Sequence, residues 1–218
     1  MENLYIVKIG GNVIDDEQKL SSFLKDFASI EGKKILVHGG GKLTTELATS
    51  LNIPQKLIEG RRITDKHTLK VATMVYAGLI NKTIVAQLQS FNCNALGITG
   101  ADGNTILAHK RIHPEVDYGF VGDIDSINTQ FLILNLNLNL SLVLAPLTHD
   151  GKGQLLNTNA DTIAREVAMA LSQQYEVNLV FCFEKDGVLI NEKVLPSISA
   201  EQFSELKENI LQTSPRQA

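Results

Sequence analysis

Twice near its start the chain runs a short apolar strand directly into glycines and then into a helical pattern, and this repeat restricts the fold more than any other feature. Leu4 to Ile9 is apolar, carries β-branched residues and stops at Gly10-Gly11. Ile35-Leu36-Val37 is a second such run, closed by His38-Gly39-Gly40-Gly41. Continuous apolar runs of this length fit buried strands, and glycine marks the turns that end them. After the first turn, Leu20, Phe23, Leu24, Phe27 and Ile30 recur at helical spacing; Asp15 or Asp16 can cap that helix, and Gly32 can end it. After the second, Leu43 to Leu51 resumes a helix. The pattern predicts an α/β fold with a mostly parallel central sheet sandwiched between helices in three layers.

The rest of the chain extends that pattern. Thr64 or Asp65 can cap a long helix reaching about Phe91, with Gly78 as a tolerated weak point. Strands are expected at Ala95 to Thr99, Ser141 to Ala145 (stopped by Pro146) and Val177 to Phe183, and a hairpin strand at Ile106 to Arg111. Asn157-Thr158-Asn159 opens a helix from Ala160 to Leu171; a hairpin around Asn191 and a helix from about Ala200 to Ile210 follow. From Leu132 to Leu142 leucine alternates with polar residues, which fits a strand. A strand running on through Ala145 would be too long, so a helix followed by a strand is expected.

Bulk properties remove several classes of function. With 218 residues the chain suits one large domain or two modest lobes. A net charge of −4 and no strongly basic face argue against nucleic acid as a partner. Cys93 and Cys182 have no CxxC spacing, which implies two reduced thiols rather than a disulfide or zinc site. His109 and His113 stand four apart, but Pro114 and the missing glutamate exclude a helical zinc pair, so no protein-bound metal is expected. No leader precedes the first strand and no apolar run is long enough to cross a bilayer; a cytoplasmic protein without a membrane partner is expected.

Four segments can carry chemistry. Lys8 ends a buried strand beside Gly10 and Gly11. Burying an ammonium is costly without an anion, and nearby amides suit a phosphate; a lysine reaching solvent is the other reading. His38-Gly39-Gly40-Gly41-Lys42 lets backbone approach a ligand at a helix N-terminus, or is only a glycine-rich connection. It is not a Walker A loop, because Leu43 follows Lys42, and Thr44 breaks a dinucleotide fingerprint. In Gly60-Arg61-Arg62-Ile63-Thr64-Asp65 an arginine can grip a carboxylate, or both can be solvated. Asn157-Thr158-Asn159-Ala160-Asp161 is a helix cap that also sets Asp161 where it could hold a lysine or meet a metal ion.

In order and together, these four segments, with Gly97-Ile98-Thr99-Gly100-Ala101-Asp102-Gly103 and Gly119-Phe120-Val121-Gly122-Asp123, resemble the acetylglutamate kinases of the amino-acid kinase family. The resemblance implies ATP-dependent phosphorylation of the side-chain carboxylate of N-acetyl-L-glutamate, in arginine biosynthesis, with Mg²⁺. It assigns Lys8 to the transferring phosphoryl group and Asp161 to orienting the lysines. Gly40, Gly41, Arg62 and Asn157 would hold the N-acyl-glutamate, and Gly10, Gly11, Glu184, Gly187 and Leu189 the nucleotide. Residues 1–174 would form the lobe for acyl-glutamate and dimerisation, and 175–218 a partial nucleotide-binding lobe that lacks the family's Gly-Gly-Met-x-Pro-Lys segment. N-succinyl-L-glutamate as acceptor and a truncated, non-catalytic binding protein are the alternatives.

Arginine-inhibited hexamers of the family carry a helix ahead of the first strand. Because the first strand here begins by about Leu4, an arginine-insensitive homodimer is expected. Val71, Val75, Leu79 and Ile80 of the long helix would contribute to its interface, unless they are buried within the protomer.

Overall fold

A computed structural model describes residues 1–58, 61–183, 187, 189–190, 193–199 and 201–204. The chain divides into two compact units, Met1–Cys182 and Phe183–Ala218.

The first unit begins with β1 (Glu2–Ile9), the single turn α1 (Gly11–Ile14) and α2 (Glu17–Ser29). Of the two candidate caps, Asp16 serves α2, accepting from the Gln18 and Lys19 N–H groups at 3.0 Å each. β2 (Lys33–His38) and α3 (Gly41–Ser50) follow, then a two-stranded ribbon of β3 (Leu57–Ile58) and β4 (Arg61–Arg62). Asp65 caps α4 (Lys66–Thr73), which runs without a break through a π-helical turn (Met74–Ile80) into α5 (Asn81–Ser90). Next come β5 (Ala95–Ile98), β6 (Ile106–Lys110), β7 (Gly122–Ile127) and α6 (Thr129–Asn137). The unit closes with β8 (Ser141–Leu144), β9 (Leu147–His149), β10 (Leu155–Asn157), α7 (Ala160–Leu171) and β11 (Tyr175–Cys182).

The central sheet has the order β11-β1-β2-β8-β5, and every pairing in it is parallel. Side chains alternate across a strand. Leu4 and Ile6 of β1, Ile35 and Val37 of β2, and Leu142 and Leu144 of β8 therefore share one face, packed with residues of α6 and α7. Val7, Ile9, Leu36 and Val143 share the other, with residues of α2 and the long helix. Three layers result, as expected. The leucine alternation at 132–142 resolves into α6 and β8, and the chain reverses between them at Asn139, whose φ is +58°.

Two expectations about the long helix need correction. Lys66–Ser90 spans 25 residues with a mean hydropathy of 1.2 in its most apolar window, so by length and composition it does reach a membrane span. Many of its apolar side chains are taken up within the chain: Leu69, Val71, Ala72, Val75, Ile80, Ile84 and Leu88 are buried in the core, while Met74 and Leu79 are exposed. The same burial removes Val71, Val75 and Ile80 from any dimer patch; Leu79, 59% exposed, is the one of the four that faces outward.

A second sheet, β10-β9-β6-β7, is assembled from the region of which only the β6 hairpin was foreseen. Its pairings are antiparallel except for β6 with β9. In the second unit β12 (Leu189–Ile190) pairs antiparallel with β13 (Lys193–Val194), as the expected hairpin requires, and Glu201–Ser204 is helical. The rest of the helix expected to Ile210 lies outside the described residues.

Candidate active site

In parallel sheets ligands bind at the carboxyl ends of the strands, and a cavity of the first unit lies there. It has a volume of about 450 Å³ and is lined by the turns after β1 and β2, the β3–β4 ribbon, the end of β10 and the start of α7. The alternation that buries Leu4 and Ile6 puts Lys8 on the same face as α7. Its ammonium meets Asp161 there, Nζ to Oδ1 2.7 Å, with the lysine side chain 15% and the aspartate side chain 53% exposed. β1 lies inside the sheet rather than at its edge, so the lysine enters the cavity instead of escaping past an open strand. Asn159 caps α7 through Thr162 N–H at 3.0 Å, which fixes the first turn that carries Asp161.

Gly40 and Gly41 open α3. The first N–H groups of a helix lack intrahelical partners, and no side chain caps these; they are free to meet an anion. Gly40 has φ +142°, and a Cβ there would lie 2.1 Å from Ile80 Cδ1, so the turn depends on glycine. Beneath it, His38 is fully buried. Its Nδ1 donates to Gly39 O at 2.8 Å, and its Nε2 accepts from Asn81 Nδ2 at 3.3 Å. The same Asn81 amide donates to Val143 O at 3.0 Å, and Lys82 Nζ bridges Asn81 Oδ1 and Gly97 O at 3.0 and 2.7 Å. Burial pushes the His38 pKa down to about 4, so the ring is neutral at pH 7.

Arg62 comes from the ribbon. Its Nη2 donates to Gly41 O and Thr45 Oγ1, 2.8 Å each, and its Nη1 donates to Gln55 Oε1. The guanidinium is thereby aimed across the glycine turn. Asn157 ends β10, and its Nδ2 donates to Thr64 Oγ1 at 3.0 Å. What brings these distant segments together is Tyr118-Gly119-Phe120: Thr64 N donates to Tyr118 O, Phe120 N to Thr64 O and Asn157 N to Phe120 O. Gly119 has φ +72°, and a Cβ on it would stand 2.2 Å from Thr64 O, so this crossing also requires glycine.

Lys8, Gly10, Gly11, Gly40, Gly41, Arg62, Asn157 and Asp161, all singled out from sequence, line this one cavity. Gly187, with φ +156°, and Leu189, the first residue of β12, belong to the second unit. Glu184 lies outside the described residues. Two further lining residues, Tyr76 and Arg111, carried no local signal. Arg111 forks onto Asp123, with Nε 3.0 and 3.1 Å from the two carboxylate oxygens and Nη2 bonded as well; this carboxylate raises the arginine's pKa further. The arginine's place follows from the pairing of β6 with β7, whose register shifts between Leu107 and Ala108.

Among the described residues the lining carries five cationic side chains, Lys8, Lys42, Arg61, Arg62 and Arg111, and one carboxylate, Asp161. Such a site suits a ligand with several negative charges. Among the described residues no cluster of three metal-ligating side chains occurs, and His109 bonds Asp125 instead, Nδ1 to Oδ1 2.6 Å. Cys93 and Cys182 are both free thiols.

Comparison with known proteins agrees with this geometry. An acetylglutamate kinase of Cytophaga hutchinsonii is 54% identical over 212 residues, covering 95% of this chain and 80% of the relative. One of Phocaeicola vulgatus is 54% identical over 208 residues, covering 94% and 81%. Among solved structures, a protein of Streptococcus mutans UA159 superposes with a TM-score of 0.80 at 26% identity, covering 95% of this chain and 83% of that one. The Amino acid kinase family matches residues 3–214, nearly the whole length over which the strand–glycine–helix units and the cationic cavity were traced, and the chain belongs to that family.

Proposed function

We propose that this chain transfers the terminal phosphoryl group of ATP to the side-chain carboxylate of N-acetyl-L-glutamate, yielding an acyl phosphate for arginine biosynthesis. The observation that carries the reading is the single cavity in which Lys8, the Gly40-Gly41 turn, Arg62 and Asn157 converge. That this arrangement sits in a chain 54% identical to acetylglutamate kinases along nearly its full length supports the same conclusion.

In this reading Arg62 and Asn157 hold the acceptor, and the Gly40 and Gly41 amides align its reactive end. One carboxylate oxygen attacks the γ-phosphorus in line while the bond to the β-phosphate oxygen breaks, and the electron pair leaves with ADP. The acceptor is already ionised, so no proton must be removed and no general base is required. Lys8 stays on the shifting charge, and Asp161 positions Lys8 through their 2.7 Å contact. Phosphoryl transfer depends mainly on such alignment and charge neutralisation. Asp161 is the one lining carboxylate, which fits a Mg²⁺ that arrives on the nucleotide rather than one caged by the protein. Such an ion would supply further charge neutralisation. Gly10 and Gly11 would face the phosphates from the turn after β1, with residues 175–218 contributing Glu184, Gly187 and Leu189 and residues 1–174 the acceptor and dimer surfaces. A cytoplasmic homodimer belongs to the same reading, with exposed Met74 and Leu79 available to its interface.

N-succinyl-L-glutamate is the second acceptor, favoured by five lining cations where an acetylated glutamate presents only two carboxylates. The test is an ATP-dependent assay trapping acyl phosphate with hydroxylamine, run on both acids, with binding of each followed by calorimetry. Acyl hydroxamate from either acid supports the reaction, and the faster acid identifies the acceptor. Binding without hydroxamate would mean a non-catalytic binding protein; neither would remove acyl-glutamate from the site.

A further inference from the structure

Along the long helix the buried positions Ala72, Tyr76, Ile80, Ile84 and Leu88 recur in steps of four. At 3.6 residues per turn each such step drifts by about 40°, so an unbroken α-helix would carry the stripe off its core face. The π-helical turn Met74–Ile80 widens the helix at that point and absorbs the drift. It also brings Tyr76 to the cavity wall. The tyrosine is 6% exposed, it lines the cavity, and its ring carbons Cδ1 and Cε1 lie 3.3 Å from where a Cβ on Gly40 would stand.

The ring is buried, but the hydroxyl oxygen is not fully enclosed: among the described residues, Asp15 Oδ1 and His149 Nε2 are the fully buried side-chain polar atoms without a partner. The hydroxyl is therefore open to a hydrogen bond from outside the chain. Tyr76 has no hydrogen-bond partner among the described residues, unlike Arg62, Arg111, Asn157 and Lys8 of the same lining. The other apolar side chains at the wall are Leu57, Val121, Pro146 and Ala160. Against five cations, these few surfaces are what can meet the uncharged part of an N-acylated amino acid.

Resting on the acyl-glutamate reading of this site, we propose that Tyr76 is a specificity-determining residue that selects the acyl group. Its ring, held against Gly40 by the π-helical turn, bounds the space for the acyl chain. Its hydroxyl donates to an oxygen of the acyl part. A larger or differently polar acyl group then changes fit at this side chain, while the glutamate carboxylates keep their partners.

The experiment measures kcat/KM of wild type, Tyr76→Phe and Tyr76→Leu for N-acetyl-, N-propionyl- and N-succinyl-glutamate, with the KM for ATP and the melting temperature alongside. Tyr76→Phe should lose about tenfold on the preferred acceptor, mainly through KM, matching one hydrogen bond of about 1.4 kcal/mol. Tyr76→Leu should reorder or flatten the preference among the three acids, with the KM for ATP unchanged. If wild type discriminates and both variants keep its ratios within twofold, Tyr76 does not select the acyl group. Should Tyr76→Leu fail to fold, the nearly isosteric Tyr76→Phe decides alone. Wild type that phosphorylates none of the acids would overturn the reaction and this proposal together, an outcome distinct from unchanged ratios.

Discussion

One wall of the cavity is built from residues that neighbour each other along the chain, the other from residues gathered across it. Lys8, Gly10 and Gly11 lie within four positions, as do Gly39, Gly40 and Gly41, because each group is a strand end and the turn after it. Arg62, Arg111, Val121 and Asn157 come from the ribbon and the second sheet, joined by the backbone bonds around Gly119. The first wall is rigid by construction, since its turns are anchored to strands buried on both faces. The second depends on one close crossing. On the functional reading Lys8, Gly10 and Gly11 of the first wall serve phosphate transfer, while its Gly40-Gly41 turn joins the second wall in holding the acceptor, so damage at Lys8 and damage at the crossing should be separable.

The largest expected effect is on the first wall. Lys8→Ala should lower kcat about 10²- to 10³-fold, the size typical for removing a group that stabilises transition-state charge. Acceptor binding by calorimetry should be nearly unchanged; equal loss in both would merge the two walls into one functional unit. Next is Gly119→Ala. The added carbon meets the Thr64 carbonyl and the residue must keep φ +72°, at a cost on the order of 2–3 kcal/mol. Urea unfolding should show that loss, and acceptor affinity should fall further than the KM for ATP. A variant as stable as wild type would mean that the crossing can shift without strain.

A smaller effect is expected at Arg62. Lysine cannot reproduce the planar fork that reaches Gly41, Thr45 and Gln55, so Arg62→Lys should raise the acceptor's KM roughly tenfold with little change in kcat. An unchanged dissociation constant would take Arg62 out of acceptor binding. A last effect concerns pH. His38 has a folded pKa of about 4, below the ordinary value near 6.5. The stability that comes with its neutral ring is therefore complete above about pH 6.5 and is lost as pH falls toward about 4. Melting curves of wild type should decline over that window more steeply than those of His38→Asn; parallel curves would show that His38 does not set the slope.

The same contrast explains what could be seen in the sequence. Helix starts at Asp16, Asp65 and Asn159 were legible because a side chain next to its own helix sets each one. Lys8 beside Gly10 was legible because a strand end and its turn are consecutive. Arg111 was not, since its place depends on β6 pairing with β7 and β9, partners that no local pattern names. Gly119-Phe120-Val121 stood out as a motif, yet its purpose became visible only in contact with Thr64 and Asn157. Tyr76 was hidden differently. The four-residue spacing from Ala72 to Leu88 stands in the sequence, but no local residue marks the π-helical turn Met74–Ile80 that contains Tyr76.

The position of β1 has a consequence for how the protein is made. On one side it pairs with β2, which follows it closely; on the other, Glu2 to Ile9 pair with Tyr175 to Cys182. Until the ribosome has released β11, the strand that carries Lys8 has an open edge, with Leu4, Ile6 and Val7 along it. Pairings this distant in sequence close slowly, and unpaired apolar edges are where chains associate wrongly. The sheet that bears the proposed phosphoryl-transfer lysine is thus completed after translation of nearly the whole first unit, and until then β1 offers the nascent chain an open edge.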